Sequence, residues 1–297
     1  MRSSNAAVPS SLFFHLENLT QLLATRHHPF VDRAECRKRL GCEPAYLKRW
    51  QQAIRRSINL DGLTEKKYAT CAVVGSSNSV MHDPRGELIN GMEVVIRVNE
   101  APVGPRYARH VGNRTTIRIW GSPGNQGMNV TWGLHPSTVN ETAGVLLSCF
   151  PSRWAGRCWG ELELAVEHDA GARVLPTEQA RAAHAPRLSP SVNAMLQDDL
   201  RRSSEARNLS YSTGKVPSTG AIAVFVALRT CAAVWIFGFG DCTATARRCA
   251  KYFLPHNGLK AYRRQHELNN HDAQMEKTWL IEQVRTRRIV DPEGCFS

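Results

Sequence analysis

The chain has 297 residues, of which 42% are hydrophobic, and a formal net charge of +12. This length fits one large domain, or one domain with a short extension, and the apolar content is ample for a core. The charge by itself would suit nucleic acid, an anionic membrane surface or an acidic small molecule. However, the basic residues come without zinc-finger spacing, an RNA-recognition motif or a basic helix joined to heptads, so only charge favours nucleic acid.

Residues 1–66 are predicted to form a mostly helical, stem-like extension, and residues 67–297 the main domain. The first ten residues lack a continuous apolar core, so no signal peptide is visible. Residues 221–237 are apolar enough to imitate a transmembrane helix. This stretch is short and contains Arg229, which favours a buried helix followed by a buried strand. No transmembrane segment is therefore predicted in this chain.

The main domain alternates strand and helix patterns, which predicts an α/β sheet flanked by helices. Two segments stand out because polar loops follow buried strands. The first predicted elements in chain order are strand 71–74, polar loop 75–79, strand 93–98, strand 116–120, loop 121–143 and strand 145–150. Then follow helix 162–167, helix 192–202, a helix that opens at Ser218, and strand 233–237. The last are an irregular lid-like segment 241–270 and helix 271–287, before Ile289 and Val290.

Two of these strand ends are candidate ligand sites. Strand 71–74 runs into a loop rich in serine, and strand 93–98 ends on Asn99. Open α/β sheets bind ligands in the loops at strand ends. The helix that opens at Ser218 and Thr219 has hydroxyl groups at its N-terminus, which suits a phosphate. These segments therefore look like two halves of one nucleotide site.

Three segments resemble, in order and spacing, the long, short and very short sialyl motifs of the eukaryotic sialyltransferase family. Residues 71–116 begin with Cys-Ala-Val-Val-Gly and end with Val-Gly-Asn-Arg-Thr-Thr; residues 217–240 begin with Pro-Ser-Thr-Gly and end with Gly-Phe-Gly. The very short motif corresponds to His271 and Glu276. A histidine and glutamate at this spacing signal almost nothing alone, but three motifs in order with matching cysteines are a strong signal.

The resemblance covers roughly residues 68–290. It implies a Rossmann-like variant fold with a mostly parallel central sheet, and a sialyltransferase-like catalytic domain over residues 67–297. It also implies a disulfide between Cys71 and Cys231, which would join the two half-sites. The implied reaction is inverting, metal-independent transfer of sialic acid from CMP-sialic acid to a glycan hydroxyl.

The same resemblance assigns roles to individual residues. His271 is the expected general base, and its place in the first turn of a helix would favour the neutral imidazole that a base requires. Glu276 lies about one and a half turns further on and is expected to fix local structure rather than to touch His271. The residues carried over as nucleotide contacts are Asn99, Ser218, Thr219 and Gly220, with Gly238 as a close backbone approach to the donor.

The chain departs from the family pattern at two positions. Ser76 stands where the family usually has an asparagine that contacts the nucleotide, which leaves Ser76 and Asn78 as candidates to replace it. Lys251 stands where a phosphate-facing histidine is expected. A lysine supplies a cation for the leaving phosphate, but it is a poor proton donor at neutral pH unless it is strongly desolvated.

Neither a cofactor nor a metal is expected. The chain has no Asp-x-Asp pair to hold a cation, and hydrogen bonds with a helix N-terminus can suffice for a monophosphate. The expected partners are a CMP-sugar donor and a glycan acceptor on a glycoprotein or glycolipid. The family, nine cysteines and sequons point to the Golgi lumen; the sequons are Asn18, Asn113, Asn129, Asn140 and Asn208.

Three alternatives stay open from the sequence. The donor could be CMP-Kdo or another CMP-linked keto sugar, since the same phosphate site would serve. The protein could be a catalytically impaired homologue that binds CMP or glycan, because Ser76 and Lys251 replace expected residues. The third alternative, a nucleic-acid-binding protein, is supported by the net charge alone. The acceptor and the linkage cannot be read from these motifs.

Overall fold

The computed structural model describes residues 66–99, 101–121, 144–147, 188, 190–209, 215–240, 251–253 and 271–296. Several predictions lie outside these residues: most of the N-terminal extension, the loop 122–143, the helix 162–167 and the rest of the lid-like segment. The domain division at residue 66 therefore stays a prediction.

Six strands form one sheet in the described part of the chain. They are β1 (Tyr68–Val74), β2 (Val94–Val98), β3 (Ile117–Trp120), β4 (Gly144–Leu147), β5 (Cys231–Phe237) and β6 (Ile289–Val290). Their order is β4-β3-β2-β1-β5-β6, and all five neighbouring pairs are parallel. The predicted α/β fold with a mostly parallel sheet is confirmed. β6, where no element was predicted, adds an edge strand.

Five α-helices accompany these strands within the described residues. They are α1 (Gly86–Asn90), α2 (Pro105–Val111), α3 (Pro190–Glu205), α4 (Thr219–Thr230) and α5 (Ala273–Arg285), with a 3-10 helix over Asn78–Met81. Helices α3 and α5 extend or shorten the predicted ones by two or three residues at an end. The short α1 and α2 were not predicted, because five to seven residues carry too little periodicity to indicate a helix.

The apolar stretch 221–237 divides into most of α4 and then β5, as predicted. Helix α4 buries nearly all of its side chains because it packs against the sheet on one side and against α3 on another. This position explains a helix that is apolar all round. Among the described residues, no helix combines the length and the apolarity needed to cross a bilayer.

The core lies on both faces of the sheet. Alternate residues of β1 belong to different clusters: Cys71 and Val73 pack with α4, whereas Ala72 and Val74 pack on the opposite face. This alternation follows from the two-residue period of a strand, and burial on both faces is typical of parallel sheets. The central strands are therefore rigid supports for the loops at their ends.

Candidate functional site

The candidate site lies where the order of the strands reverses. β1 has β2 on one side and β5 on the other, and all three strands are parallel. In open α/β sheets the ligand crevice lies outside the carboxyl ends of the strands at such a reversal. Gly75 follows β1 and Gly238 follows β5, so the fold brings both predicted half-sites to this point.

The two loops are in direct backbone contact. The Gly75 N–H donates to the Phe237 carbonyl at 2.7 Å, and the Ser77 N–H donates to the Gly238 carbonyl at 2.8 Å. A Cβ atom on Gly75 would lie 2.4 Å from the Gly238 oxygen, and Gly238 itself has a φ of 69°. Both positions therefore require glycine. Gly238 faces Gly75 here, and its approach to a donor stays a prediction.

The loop after β1 presents the two residues expected to replace the missing asparagine. Ser76 and Asn78 are half-buried, and neither side chain hydrogen-bonds to another described residue. Between them, Ser77 caps the 3-10 helix, its Oγ accepting from the Ser79 N–H at 3.3 Å. A ligand contact by Ser76 or Asn78 stays a prediction.

Lys251 lies beside this same loop. Its backbone pairs with Ser77 in an isolated antiparallel bridge, and the next residue, Tyr252, donates its N–H to the Ser76 carbonyl at 3.0 Å. The Tyr252 hydroxyl donates to the Pro102 carbonyl at 2.6 Å. The backbone of Lys251 therefore lies at the first half-site, although the two segments are far apart in the chain.

Asn99 directly follows β2 and has the left-handed conformation, with a φ of 47°. Its Oδ1 accepts from the Gly121 N–H at 2.8 Å, and its carbonyl accepts from the buried Arg118 guanidinium at 2.6 Å. Asparagine tolerates this conformation better than most residues. A nucleotide contact by the side-chain NH₂ group of Asn99 stays a prediction.

Ser218 is the N-cap of α4, as its sequence position indicated. Its Oγ accepts from the Ala221 N–H at 3.1 Å and donates to Oε2 of Glu276 at 2.6 Å, while the Ser218 N–H donates to Oε1 at 2.6 Å. Glu276 was predicted to fix local structure rather than to touch His271; its hydrogen-bond partner, Ser218, is the N-cap of another helix, 58 positions away in the chain. The Ser218 donors already serve Glu276, and a direct nucleotide contact by Ser218 stays a prediction.

The first turn of α4 still offers two backbone donors. The N–H groups of Thr219 and Gly220 have no partner among the described residues. A Cβ on Gly220 would lie 3.1 Å from the Phe239 ring, so a larger residue would push the ring by a few tenths of an ångström. At this helix N-terminus a phosphate would meet these two N–H groups.

His271 lies just before α5. The helix begins at Ala273 with Asp272 as its N-cap, so the predicted placement of His271 in the first turn is wrong. Its Nδ1 lies 2.8 Å from the Val216 carbonyl oxygen. Because a carbonyl can only accept, Nδ1 carries a proton, and in the neutral ring the lone pair is on Nε2.

Glu276 is half-buried, and desolvation raises the pKa of its carboxyl group, while the nearby charge of His271 and the Ser218 donors act in the opposite direction. The charge of His271 therefore affects the pKa of Glu276 without a hydrogen bond between the two side chains. The sequence predicted no distant partner for Glu276, because a glutamate in the first turn of a helix indicates only a favourable interaction with the helix dipole.

Glu293 was missed by the sequence. Its Oε1 accepts from the Gly238 N–H at 2.9 Å and its Oε2 accepts from the Ser79 hydroxyl at 2.8 Å. Burial raises the pKa of Glu293. The sequence Asp291 to Gly294 indicates only a turn, and no local pattern reveals what a turn contacts.

The disulfide between Cys71 and Cys231 is present, with Cα atoms 6.0 Å apart and both residues buried. It joins β1 to the start of β5, which are the strands that carry the two half-sites. The pairing expected from the resemblance is confirmed.

Comparison with known proteins gives matches across the chain. The model of glycosyltransferase family 29 (sialyltransferase) matches residues 28–286. Sialyltransferase-like protein 3 of Oryza sativa subsp. indica is 42% identical over 89 residues, which are 27% of this chain and 23% of the relative. Lactosylceramide alpha-2,3-sialyltransferase of Mus musculus is 27% identical over 201 residues, which are 64% of this chain and 46% of the relative. The chain thus spans less than half the length of either relative.

Solved structures share the fold. One described as a mammalian sialyltransferase has a TM-score of 0.56 at 18% identity, with 88% of this chain and 84% of that chain covered. A second, described as a mammalian sialyltransferase in complex with Gal-beta-1-3GalNAc-ortho-nitrophenol, has a TM-score of 0.57 at 18% identity, covering 94% and 87%. Because the family match extends from residue 28 to residue 286, this protein belongs to glycosyltransferase family 29, the sialyltransferase family.

Proposed function

We propose that this chain is an inverting glycosyltransferase that moves sialic acid from CMP-sialic acid to a glycan hydroxyl, with His271 as the general base. Family membership supports the reaction class. The observation that carries the proposal is the contact of Nδ1 of His271 with the Val216 carbonyl at 2.8 Å. This contact holds the imidazole in the tautomer whose Nε2 is basic. Val216 lies two residues before Ser218, the N-cap of α4.

In the proposed reaction, the acceptor hydroxyl oxygen bonds to the anomeric carbon of the donor sugar. The bond from that carbon to the CMP phosphate oxygen breaks, and CMP leaves with the electron pair. The acceptor proton passes to Nε2 of His271. Attack from the side opposite the leaving group inverts the configuration of the anomeric carbon.

The leaving phosphate would be held by the N–H groups of Thr219 and Gly220 and by the ammonium group of Lys251. Helix N-termini and lysine both favour anions, and a monophosphate needs no metal when such donors surround it. Ser76, Asn78 and Asn99 would contact the nucleoside from the loops after β1 and β2, and Gly238 would border it. Each of these contacts is part of the proposal.

The proposed partners are a CMP-sugar donor and a glycan on a glycoprotein or glycolipid, and the proposed location is the Golgi lumen. The disulfide between Cys71 and Cys231 supports an oxidising compartment. The family supports the glycan acceptor.

The test is release of CMP from CMP-sialic acid with a mixed panel of glycan acceptors, in wild type, His271→Ala and His110→Ala. His110 is the matched control, because its Nδ1 also lies near a backbone carbonyl, that of Asp83 at 3.1 Å, and it is not among the residues assigned to the site. We expect acceptor-dependent release to fall about a hundredfold or more in His271→Ala only. Release should persist in EDTA. Equal loss in both variants, or no loss in either, would reject His271 as the base.

A second candidate follows from Lys251, which stands beside the loop after β1 where a proton donor of neutral pKa is expected. A homologue that binds CMP but does not transfer would show CMP binding and no release in wild type. Release from CMP-Kdo alone would instead identify a different keto sugar as the donor.

A further inference from the structure

Glu293 is a single carboxylate that contacts both loops of the candidate site. One oxygen accepts from the Gly238 N–H after β5 at 2.9 Å, and the other accepts from the Ser79 hydroxyl after β1 at 2.8 Å. Neither contact depends on a ligand. Because its two oxygens serve different loops, any movement of one loop away from the other breaks a hydrogen bond to a charged group.

Ser79 also links Glu293 to Gly240. Its Oγ, while donating to Glu293, accepts from the Gly240 N–H at 3.1 Å. A Cβ on Gly240 would lie 2.7 Å from the Ser79 side chain, so the two residues are tightly packed. The carboxylate, the hydroxyl and two backbone N–H groups therefore form one closed network across the ends of β1 and β5.

The turn that carries Glu293 is itself well anchored. Asp291 accepts from the Glu293 N–H at 3.2 Å and from the Phe296 N–H at 2.8 Å. The Phe296 side chain is buried in the main core cluster. Arg85, which precedes α1, donates to the Pro292 carbonyl at 2.7 Å. Glu293 therefore projects from a fixed support rather than from a loose chain end.

The choice of a carboxylate at this place has a cost in free energy. The side chain is half-buried, and this burial desolvates the carboxyl group. The neighbouring Asp291 carboxylate adds repulsion, and Arg85 offsets part of it. A half-buried carboxyl group kept at this place despite these penalties, and hydrogen-bonded at both oxygens, fixes the geometry of the two loops.

We propose that the C-terminal turn 291–296 acts as a clasp that fixes the spacing of the loops after β1 and β5, with Glu293 as a positioning residue of the nucleotide site. The effect of the clasp on the two loops does not depend on the proposed function; only its effect on CMP binding does. Glu293 lies outside the three sialyl motifs, so the motifs alone do not complete the site.

Loss of the clasp should act on donor binding more than on chemistry. In Glu293→Ala, both loops lose their shared acceptor, so the affinity for CMP should fall and the KM for the donor should rise, about tenfold to a hundredfold. The KM for the acceptor should not change. Glu293→Gln keeps an oxygen for the Gly238 N–H but turns an NH₂ group towards Ser79, so its effect should be intermediate.

The experiment combines amide hydrogen exchange with CMP binding and donor kinetics in wild type, Glu293→Ala, Glu293→Gln and Ser79→Ala. Glu87→Ala, an exposed carboxylate on α1, is the matched control. We expect faster exchange at residues 75–79 and 238–240 in the three site variants, with β2 unchanged. Ser79→Ala and Glu293→Gln keep the test decisive where Glu293→Ala fails to fold.

Unchanged exchange in both loops would overturn the clasp, whatever the nucleotide data show. Faster exchange throughout the sheet would overturn it too, since it would indicate general destabilisation. Faster exchange confined to the two loops, with weaker CMP binding, would support the whole proposal. If wild type binds no CMP, the proposed function fails, and the exchange data alone then decide whether the clasp holds the loops.

Discussion

Glu276 accepts two hydrogen bonds from Ser218, one from its N–H and one from its hydroxyl, each at 2.6 Å. The two residues are 58 positions apart in the chain. Ser218 caps α4, whereas Glu276 lies in the first turn of α5, five residues after His271. One carboxylate therefore holds the proposed base at a fixed place relative to the proposed phosphate site.

Glu276→Ala should lower both stability and transfer. The substitution leaves the Ser218 N–H without its acceptor, which costs about 1–3 kcal/mol in free energy of unfolding. The same change frees the segment that carries His271, so CMP release should fall at least about tenfold. Urea denaturation and the CMP-release assay measure the two effects separately.

A double-mutant cycle with Ser218→Ala isolates the hydroxyl contact. If the link between the residues is direct, the effects of the two single changes on unfolding should not add, with a coupling of about 1–3 kcal/mol. Additivity within about 0.5 kcal/mol would show that Glu276 and Ser218 act independently.

Gly75→Ala should destabilise the protein. The new Cβ would lie 2.4 Å from the Gly238 oxygen, which is backbone and cannot swing aside. We expect a loss of about 1–3 kcal/mol or more, typical of overpacking, together with weaker CMP binding. Gly91→Ala is the control, because its nearest atom would be 3.5 Å away, and it should change stability by less than about 1 kcal/mol. Equal effects in both variants would contradict the packing argument.

Removal of the disulfide by Cys71→Ser together with Cys231→Ser should lower the free energy of unfolding by about 2–5 kcal/mol. The bond closes a loop with a sequence separation of 160, so it restricts the unfolded chain strongly. Denaturation with and without reductant gives the comparison: reductant should destabilise wild type much more than the double variant. An equal effect of reductant on both proteins would show that this bond does not contribute.

Glu293 should make stability depend on pH with a definite sign. Burial raises the pKa of Glu293, and Asp291 adds to the rise; the Gly238 and Ser79 donors and Arg85 oppose it. The native state therefore binds a proton over a range where the unfolded chain has released it. The stability from that proton is complete below the ordinary glutamate pKa and is lost as pH rises through the raised value.

The comparison is the free energy of unfolding of wild type minus that of Glu293→Gln, measured by urea denaturation from about pH 4 to about pH 8. Glutamine does not titrate, and the other ionisable groups are common to both proteins. The difference should decrease as pH rises and then level off. An increase with pH would mean that hydrogen bonds to the carboxylate outweigh its desolvation.

Local patterns were sufficient for the main elements of the sheet. β1 and β5 were placed because short apolar runs end in glycine and polar residues, and the stretch 221–237 was correctly divided because Arg229 and the β-branched run that follows exclude one long span. Boundaries were less accurate. The start of α5 shifted past His271 because Asp272, with a carboxylate that accepts from the Met275 N–H, is the better N-cap.

The family motifs identified the two half-sites and the pairing of Cys71 with Cys231, but not the contacts that organise them. Glu276 was given a local role, and Glu293 was given none. Both are acidic residues in unremarkable local sequence, one in a first helical turn and one in a turn. Their partners, Ser218 and Gly238, are more than fifty residues away in the chain.

By itself, then, the sequence determined the α/β class, the order of the half-sites and the residue types available for chemistry, because these depend on periodicity and on neighbours along the chain. The parallel arrangement followed from the family resemblance. Only the tertiary structure decided which polar groups meet. Hydrogen bonds such as those of Glu276 and Glu293 depend on where separate elements come to lie, and that placement is set by packing of the whole core.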